Sequence, residues 1–233
     1  MTPAPDERSV HVWRIDVRQP AEALRELRAL LAPDEEERAA RFRFDRDRDA
    51  FVATRAALRC LAGSYLGLAP RKVAFAYAPK GKPWTDGISF NVSHAGDVAL
   101  AAFTRSCRVG VDVEEMRPGV DLGALARRFF SPAENRALGV LENDAFVTAF
   151  YRCWTRKEAF VKALGEGLSF DLDRVDVSVG ADARLLSVDA AQAGGWWIAD
   201  VSPRDGYAGA VVADLRDAEL TVREWPGLVT AAV

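Results

Sequence analysis

The stretch from Phe150 to Leu168 reads F-Y-R-C-W-T-R-K-E-A-F-V-K-A-L-G-E-G-L, and it constrains the fold more than any other. Strong helix formers dominate it, no proline interrupts it, and Gly165-Glu166-Gly167 supplies a stop, so it predicts a helix. At about 100° per residue, Phe146, Phe150, Cys153, Phe160, Val161 and Leu164 fall on one apolar arc. Trp154, Glu158 and Lys162 climb one shoulder of that arc at i, i+4, i+8 spacing. Lys157 falls inside the arc, where a charge is costly unless something pairs with it. Two readings stay open. One is a Glu158–Lys162 surface pair with a snorkelling Lys157; the other is a set of charges gathered at a buried edge for chemistry.

With 233 residues, 49% of them hydrophobic and 28% charged, the chain is a globular one with a core of ordinary size. Its net charge of −3 argues against general nucleic-acid binding, so any anion site must be a local gathering of Arg and Lys. Cys60, Cys107 and Cys153 are dispersed and odd in number, which fits neither a disulfide framework nor a zinc site and suits a reducing compartment. The start, M-T-P-A-P-D-E-R-S, has no apolar signal region, and no run is long enough to span a bilayer. The expectation is a soluble, cytoplasmic protein without a membrane partner.

Alternation predicts a strand at Val10–Val17. Helices are expected at Ala21–Leu31, from Pro33 through Ala40, and at Asp47–Leu66, which Gly67 ends. Strands follow at Val73–Ala78, Ile88–Ser93, Val98–Thr104 and Val109–Val113, then helices at Leu122–Phe130, Pro132–Leu141 and Asp144–Leu164. The remainder reads as strands at Val175–Val179, Leu185–Val188, Trp196–Val201, Tyr207–Leu215 and Leu220–Trp225. Strand and helix blocks segregate, which predicts α+β rather than a doubly wound sheet. The halves also resemble each other: Leu30-Leu31-Ala32-Pro33-Asp34-Glu35 matches Phe129-Phe130-Ser131-Pro132-Ala133-Glu134, and Thr54-Arg55 matches Thr155-Arg156. Ser131 and Glu134 form a capping box with Pro132 at the first helical position. A near-constant offset suggests duplication, with a ligand cleft between the halves. The expected division is 1–106 and 107–233.

Three further patterns carry chemistry. In V-G-V-D-V-E-E, Val109 to Glu115, strand alternation puts Asp112 and Glu114 on one face. Two close carboxylates repel unless a cation sits between them, and Mg²⁺ is the usual hard cation for oxygen ligands; a solvated strand end would read the same. F-N-V-S-H-A-G-D, Phe90 to Asp97, ends a strand at Ser93-His94, and Lys80-Gly81-Lys82-Pro83-Trp84 makes a rigid basic turn suited to a phosphate or to an ordinary hairpin. Arg41, Arg43, Arg46, Arg48, Arg55 and Arg59 cluster with Asp45, Asp47 and Asp49, as a solvated face does. Arg55 has no acidic neighbour at i±3 or i±4.

Taken in order, G-K-P, F-N-V-S-H-A-G-D, V-G-V-D-V-E and W-T-R-K-E-A-F-V-K resemble the 4′-phosphopantetheinyl transferases of the surfactin-synthetase-activating (Sfp) type, from about Arg41 to Leu168. The resemblance implies two similar α+β halves related by a pseudo-twofold axis. It also implies transfer of the phosphopantetheine arm of coenzyme A to a serine of an acyl or peptidyl carrier protein, as in fatty-acid, polyketide or nonribosomal peptide synthesis, releasing 3′,5′-ADP. Carried over, Asp112, Glu114 and Glu158 would hold Mg²⁺, with Glu158 as general base. Lys162 would contact the phosphates with Lys157 nearby. Ser93, His94, Lys82, Pro83 and Arg55 would lie toward the 3′-phosphate and ribose, with Arg41 or Arg43 as a further contact. Ala95 replaces the small polar residue often found after the histidine. The chain ends soon after Trp225, so no extra partner-binding domain is expected, and a cleft built from one chain predicts a monomer. Leu122, Leu125, Phe129 and Phe130 are candidates for carrier docking or for the core. The alternatives are another Mg²⁺-dependent phosphoryl transferase or hydrolase acting on coenzyme A or a nucleotide, and an inactive carrier-binding relative.

Overall fold

The computed structural model describes residues 3–117, 119–167, 170–188 and 195–228, so Leu168 at the end of the central stretch lies outside the described residues. The first half runs β1 (Ser9–Asp16), α1 (Ala21–Arg28), α2 (Pro33–Ala40), α3 (Asp45–Leu66), β2 (Ala76–Tyr77), β3 (Pro83–Trp84), β4 (Ser89–Ala95) and β5 (Val98–Thr104). The second runs β6 (Val109–Glu115), α4 (Leu122–Phe129), α5 (Pro132–Leu138), α6 (Asn143–Leu164), β7 (Val175–Val177), β8 (Leu185–Val188), β9 (Trp197–Asp200), β10 (Tyr207–Ala213) and β11 (Glu219–Glu224).

The fold is α+β in two similar halves. Each half has a long helix, α3 or α6, of 22 residues ending on a left-handed glycine, Gly67 or Gly165. Each helix covers one face of an antiparallel group of strands: β1-β5-β4 in the first half, β6-β10-β9 in the second. The other faces of the two sheets meet, burying Val10, Val12 and Leu100 against Val109, Val111, Val113 and Val211. The layers are therefore helix, sheet, sheet, helix, and β5 is buried along its whole length because both of its faces are covered.

One strand breaks the division. β11, from the end of the chain, pairs in parallel with β1 at the edge of the first sheet. A cut between 106 and 107 separates that strand from the sheet it completes. No local pattern in Glu219–Glu224 announces so distant a partner.

The duplicated hexapeptides occupy equivalent places. In the second half, Ser131 Oγ accepts from Glu134 N and Glu134 Oε2 accepts from Ser131 N, a complete capping box at α5. In the first, Ala32 has no side-chain oxygen, so only the reciprocal bond survives, from Ala32 N to Glu35 Oε2. Both glutamates are buried and both meet a cation from the long helix: Glu35 takes Arg55 and Arg59, and Glu134 takes Lys157. The likeness read between the halves thus extends to a buried charge pair in each.

Candidate functional site

The site begins with a glycine. In β6, Val109, Val111 and Val113 face the opposite sheet, which by alternation turns Gly110, Asp112 and Glu114 toward α6. A Cβ on Gly110 would lie 2.0 Å from Ala159 O and 2.3 Å from Ala163 N, so only glycine lets α6 rest directly on the strand. That approach brings Glu158 and Lys162, one turn apart, over Asp112 and Glu114. The small residues Ala208 and Ala210 of β10, opposite Glu114 and Asp112 in register, keep the same face shallow.

At the centre, Asp112 Oδ1 accepts from Lys162 Nζ at 2.5 Å and from Ser93 Oγ at 2.9 Å, and Lys162 Nζ also donates to Ser93 Oγ at 2.9 Å. Asp112 is 3% exposed, and its Oδ2 is buried without a hydrogen-bond partner. Burial raises the Asp112 pKa against the lowering effect of Lys162 and Ser93. Burial, then the charges of Asp112 and Glu158, push Glu114 up to about 7. Glu158 is raised by burial first and Asp112 second. The three carboxyl groups therefore share one electrostatic environment and oppose one another's ionisation. As they stand, no three acidic, histidine or cysteine side chains among the described residues are close enough to hold an ion, and the Lys162 ammonium occupies one Asp112 oxygen. The donor set nonetheless fits a hard divalent cation: three carboxylates, one with an unsatisfied buried oxygen, destabilised by each other's charge.

Three hollows meet around this centre. A cavity of about 610 Å³ is walled by Glu114, His94, Arg46, Arg117, Tyr151 and Trp154 among others. Trp154 also walls a second hollow with Glu158, Lys162 and Phe129. Lys162 and Gly167 are shared in turn with a third, which Lys82, Pro83 and Asn91 line. His94 opens onto the large cavity, and desolvation, then Lys162, hold its pKa below the ordinary value, outweighing Asp47.

Asp112, Glu114, Glu158, Lys162, Ser93 and His94 thus come together, with Pro83 and the Lys82 stem on the adjoining wall. Four of the residues expected at the phosphates are placed otherwise. Lys157 is fully buried in the second core, its ammonium on Glu134 Oε2 at 2.6 Å and on the Leu172 and Val175 carbonyls. Arg55 is buried, bound to Glu35 and Tyr77 Oη and stacked 4.5 Å over Phe75. Both are structural cations, and this geometry removes them from the anion site. Arg41 is exposed, 3.6 Å from Glu37, and walls none of the three hollows. Lys82 spends its ammonium on backbone carbonyls; burial first and Arg108 second lower its pKa to about 8.

Sequence reasoning gave no role to Trp154, Arg46 or Arg117. Trp154 carried a signal, standing one turn before Glu158 on the helix shoulder. Arg46 was hidden among its neighbours; it reaches the cavity because it lies in the first turn of α3, 3.5 Å from Asp97. Of the apolar docking candidates, Leu122 and Phe130 are buried in the second core, with Leu125 and Phe129 packed against it; Leu122, Leu125 and Phe129 also wall hollows.

Comparison with known proteins gives two family matches. Residues 108–212 match the 4′-phosphopantetheinyl transferase superfamily, and residues 18–105 match the N-terminal region of 4′-phosphopantetheinyl transferases. The 4′-phosphopantetheinyl transferase HetI of Nostoc is 38% identical over 210 residues, 87% of this chain and 86% of that protein. A 4′-phosphopantetheinyl transferase of Bacillus subtilis is 32% identical over 161 residues, 67% of this chain and 70% of its own length. The Chronobacterium ammoniagenes ACPS–CoA complex overlaps 46% of this chain and 96% of its own, at 22% identity and a TM-score of 0.32.

Proposed function

This chain belongs to the 4′-phosphopantetheinyl transferase superfamily and is an enzyme of that class, and on that footing we propose that it moves the phosphopantetheine arm of coenzyme A onto a serine of an apo carrier protein in a Mg²⁺-dependent reaction. The carriers would be acyl or peptidyl carrier domains of fatty-acid, polyketide or nonribosomal peptide synthesis. The observation that carries the reading is the meeting of Asp112, Glu114 and Glu158 with Lys162 where α6 crosses β6.

Asp112, Glu114 and Glu158 would hold the metal, which when bound neutralises pyrophosphate charge and orients it for displacement. Lys162 exchanges Asp112 for the phosphates and offsets charge on the departing oxygen. The carrier serine oxygen forms a new bond to the phosphorus that bears the pantetheine, and the bond from that phosphorus to the bridging oxygen breaks. The electron pair leaves with 3′,5′-ADP. Glu158 accepts the serine proton, and its raised pKa makes it a better base than an ordinary carboxylate. His94 and Arg46, which share a wall of the large cavity, serve the 3′-phosphate end in place of Arg55. Ser93, bonded to both Asp112 and Lys162, orients the pair. The acidic centre is built from elements of one chain, which supports a monomer, and no described helix is long and apolar enough to cross a membrane.

Intact mass of an apo carrier after incubation with coenzyme A and Mg²⁺ tests the reading. The expected result is a carrier heavier by one phosphopantetheine group with the native chain and an unchanged carrier with Glu158→Ala. An unchanged carrier with the native chain, accompanied by consumption of coenzyme A, would assign the site to a hydrolase.

A further inference from the structure

Lys82 ties the β2–β3 hairpin to the backbone of α6. Lys82 Nζ donates to the carbonyl oxygens of Lys162 at 2.6 Å, Val109 at 3.0 Å and Ala163 at 3.5 Å. An ammonium has three N–H groups and no other means of binding an anion by hydrogen bonds, so these carbonyls take up its donors. Two of them lie in the last turn of α6, where carbonyls lack intrahelical partners and the end of the helix favours a cation. The third opens β6, three residues before Asp112. Asn91 Oδ1 accepts from Val111 N at 2.9 Å, and Ser93 reaches Asp112 itself. The hairpin and β4 therefore grip β6 at three successive points; Ser93 also meets the Lys162 side chain, whereas Lys82 grips the backbone of α6.

We infer that Lys82 is a positioning residue of the transfer reaction rather than a coenzyme A ligand: it caps α6 across the cleft and fixes the backbone from which Lys162 reaches Asp112. This rests on the transferase reading above. A cap and a phosphate ligand behave differently. Loss of a 3′-phosphate ligand weakens coenzyme A and spares an analogue without that phosphate. Loss of the cap leaves substrate selection alone and lets the last turn of α6 drift, so the chemical step slows with either substrate. Misplacement of a catalytic group by a fraction of an ångström is enough for this.

Lys82→Met and Lys82→Arg in the full chain test the inference, with coenzyme A and 3′-dephospho-coenzyme A as alternative donors to one apo carrier. Amide hydrogen exchange is followed along α6 in parallel. For Lys82→Met, kcat should fall about tenfold or more with both donors, the size expected for loss of a charged hydrogen bond. The ratio of the two KM values should stay unchanged. Exchange should quicken in the last turn of α6 and at the start of β6, but not in the middle of the helix. Lys82→Arg should recover part of kcat, and added n-propylammonium should recover part in Lys82→Ala, which a general loss of folded protein would not allow. A KM increase confined to coenzyme A would overturn the inference, as would unchanged exchange at the end of α6. If the native chain modifies no apo carrier, the transferase reading fails, while the exchange measurement still decides whether Lys82 holds α6.

Discussion

Lys157 shows how a single residue can be read correctly and assigned wrongly. Its place on the apolar arc required a partner, and the partner is Glu134, the carboxylate of the α5 capping box. The pair is almost fully buried, with Glu134 2% exposed, and breaking a buried pair from one side leaves an uncompensated charge. Glu134→Gln should therefore lower unfolding free energy in urea by ~3–5 kcal/mol, and adding Lys157→Met should recover part of that loss. A loss under ~1 kcal/mol would mean that the ammonium is satisfied by the Leu172 and Val175 carbonyls alone. The Glu114 pKa is shifted upward, by burial first and Asp112 second, the opposite of a carboxylate paired with a cation. Its folded pKa is raised from 4.5 to about 7, so the folded state binds more protons than the unfolded one across that interval. The metal-free protein should lose stability as pH rises from about 4.5 toward 7, and Glu114→Gln should flatten that part of the profile. A thermal midpoint that climbs steadily across the interval in both proteins would contradict the shift.

Elements were legible where the pattern is local and long. The 3.6-residue periodicity of α3 and α6, the glycines that end them, and the alternation in β1 and β6 follow from side chains close together in sequence. The two-residue strands β2 and β3 were expected as one longer strand and a turn, because a hairpin of this size has no periodicity to read. The close packing of α6 on β6 was half visible. The spacing of Asp112 and Glu114 on a strand could be read, but the need for Gly110 appears only when helix and strand touch. Gly110→Ala tests that contact: its Cβ would strike the backbone of Ala159, Ala163 and Lys162, atoms that cannot swing aside. The variant should be destabilised by ~1–3 kcal/mol or more, and the molecules that remain folded should transfer poorly because α6 no longer sits over Asp112. Gly180→Ala, where a Cβ meets nothing within 4 Å, should behave like the native chain. Equal behaviour of the two variants would mean that strand and helix can separate without consequence.

Across the whole molecule, two sheets face each other, and polar side chains bind them where the acidic centre lies. Ser93 and Asn91 come from β4 in the first half, Asp112 and Val111 from β6 in the second. The sequence named nearly every member of the acidic centre, because chemistry-bearing residues occur in recognisable spacings. It said less about the basic ones, because an Arg or Lys declares its charge but not its partner; Arg55, Lys82 and Lys157 each bond within the protein. The account depends on Asp112, Glu114 and Glu158 acting as one site for a divalent ion. Titration of Mn²⁺ into the protein with coenzyme A, followed by the electron paramagnetic resonance of free Mn²⁺, measures this directly. The account predicts one tight ion per chain, weakened by Asp112→Asn, Glu114→Gln and Glu158→Gln alike and not by Glu115→Gln. Native affinity in all three variants, or binding that none of them alters, would contradict it.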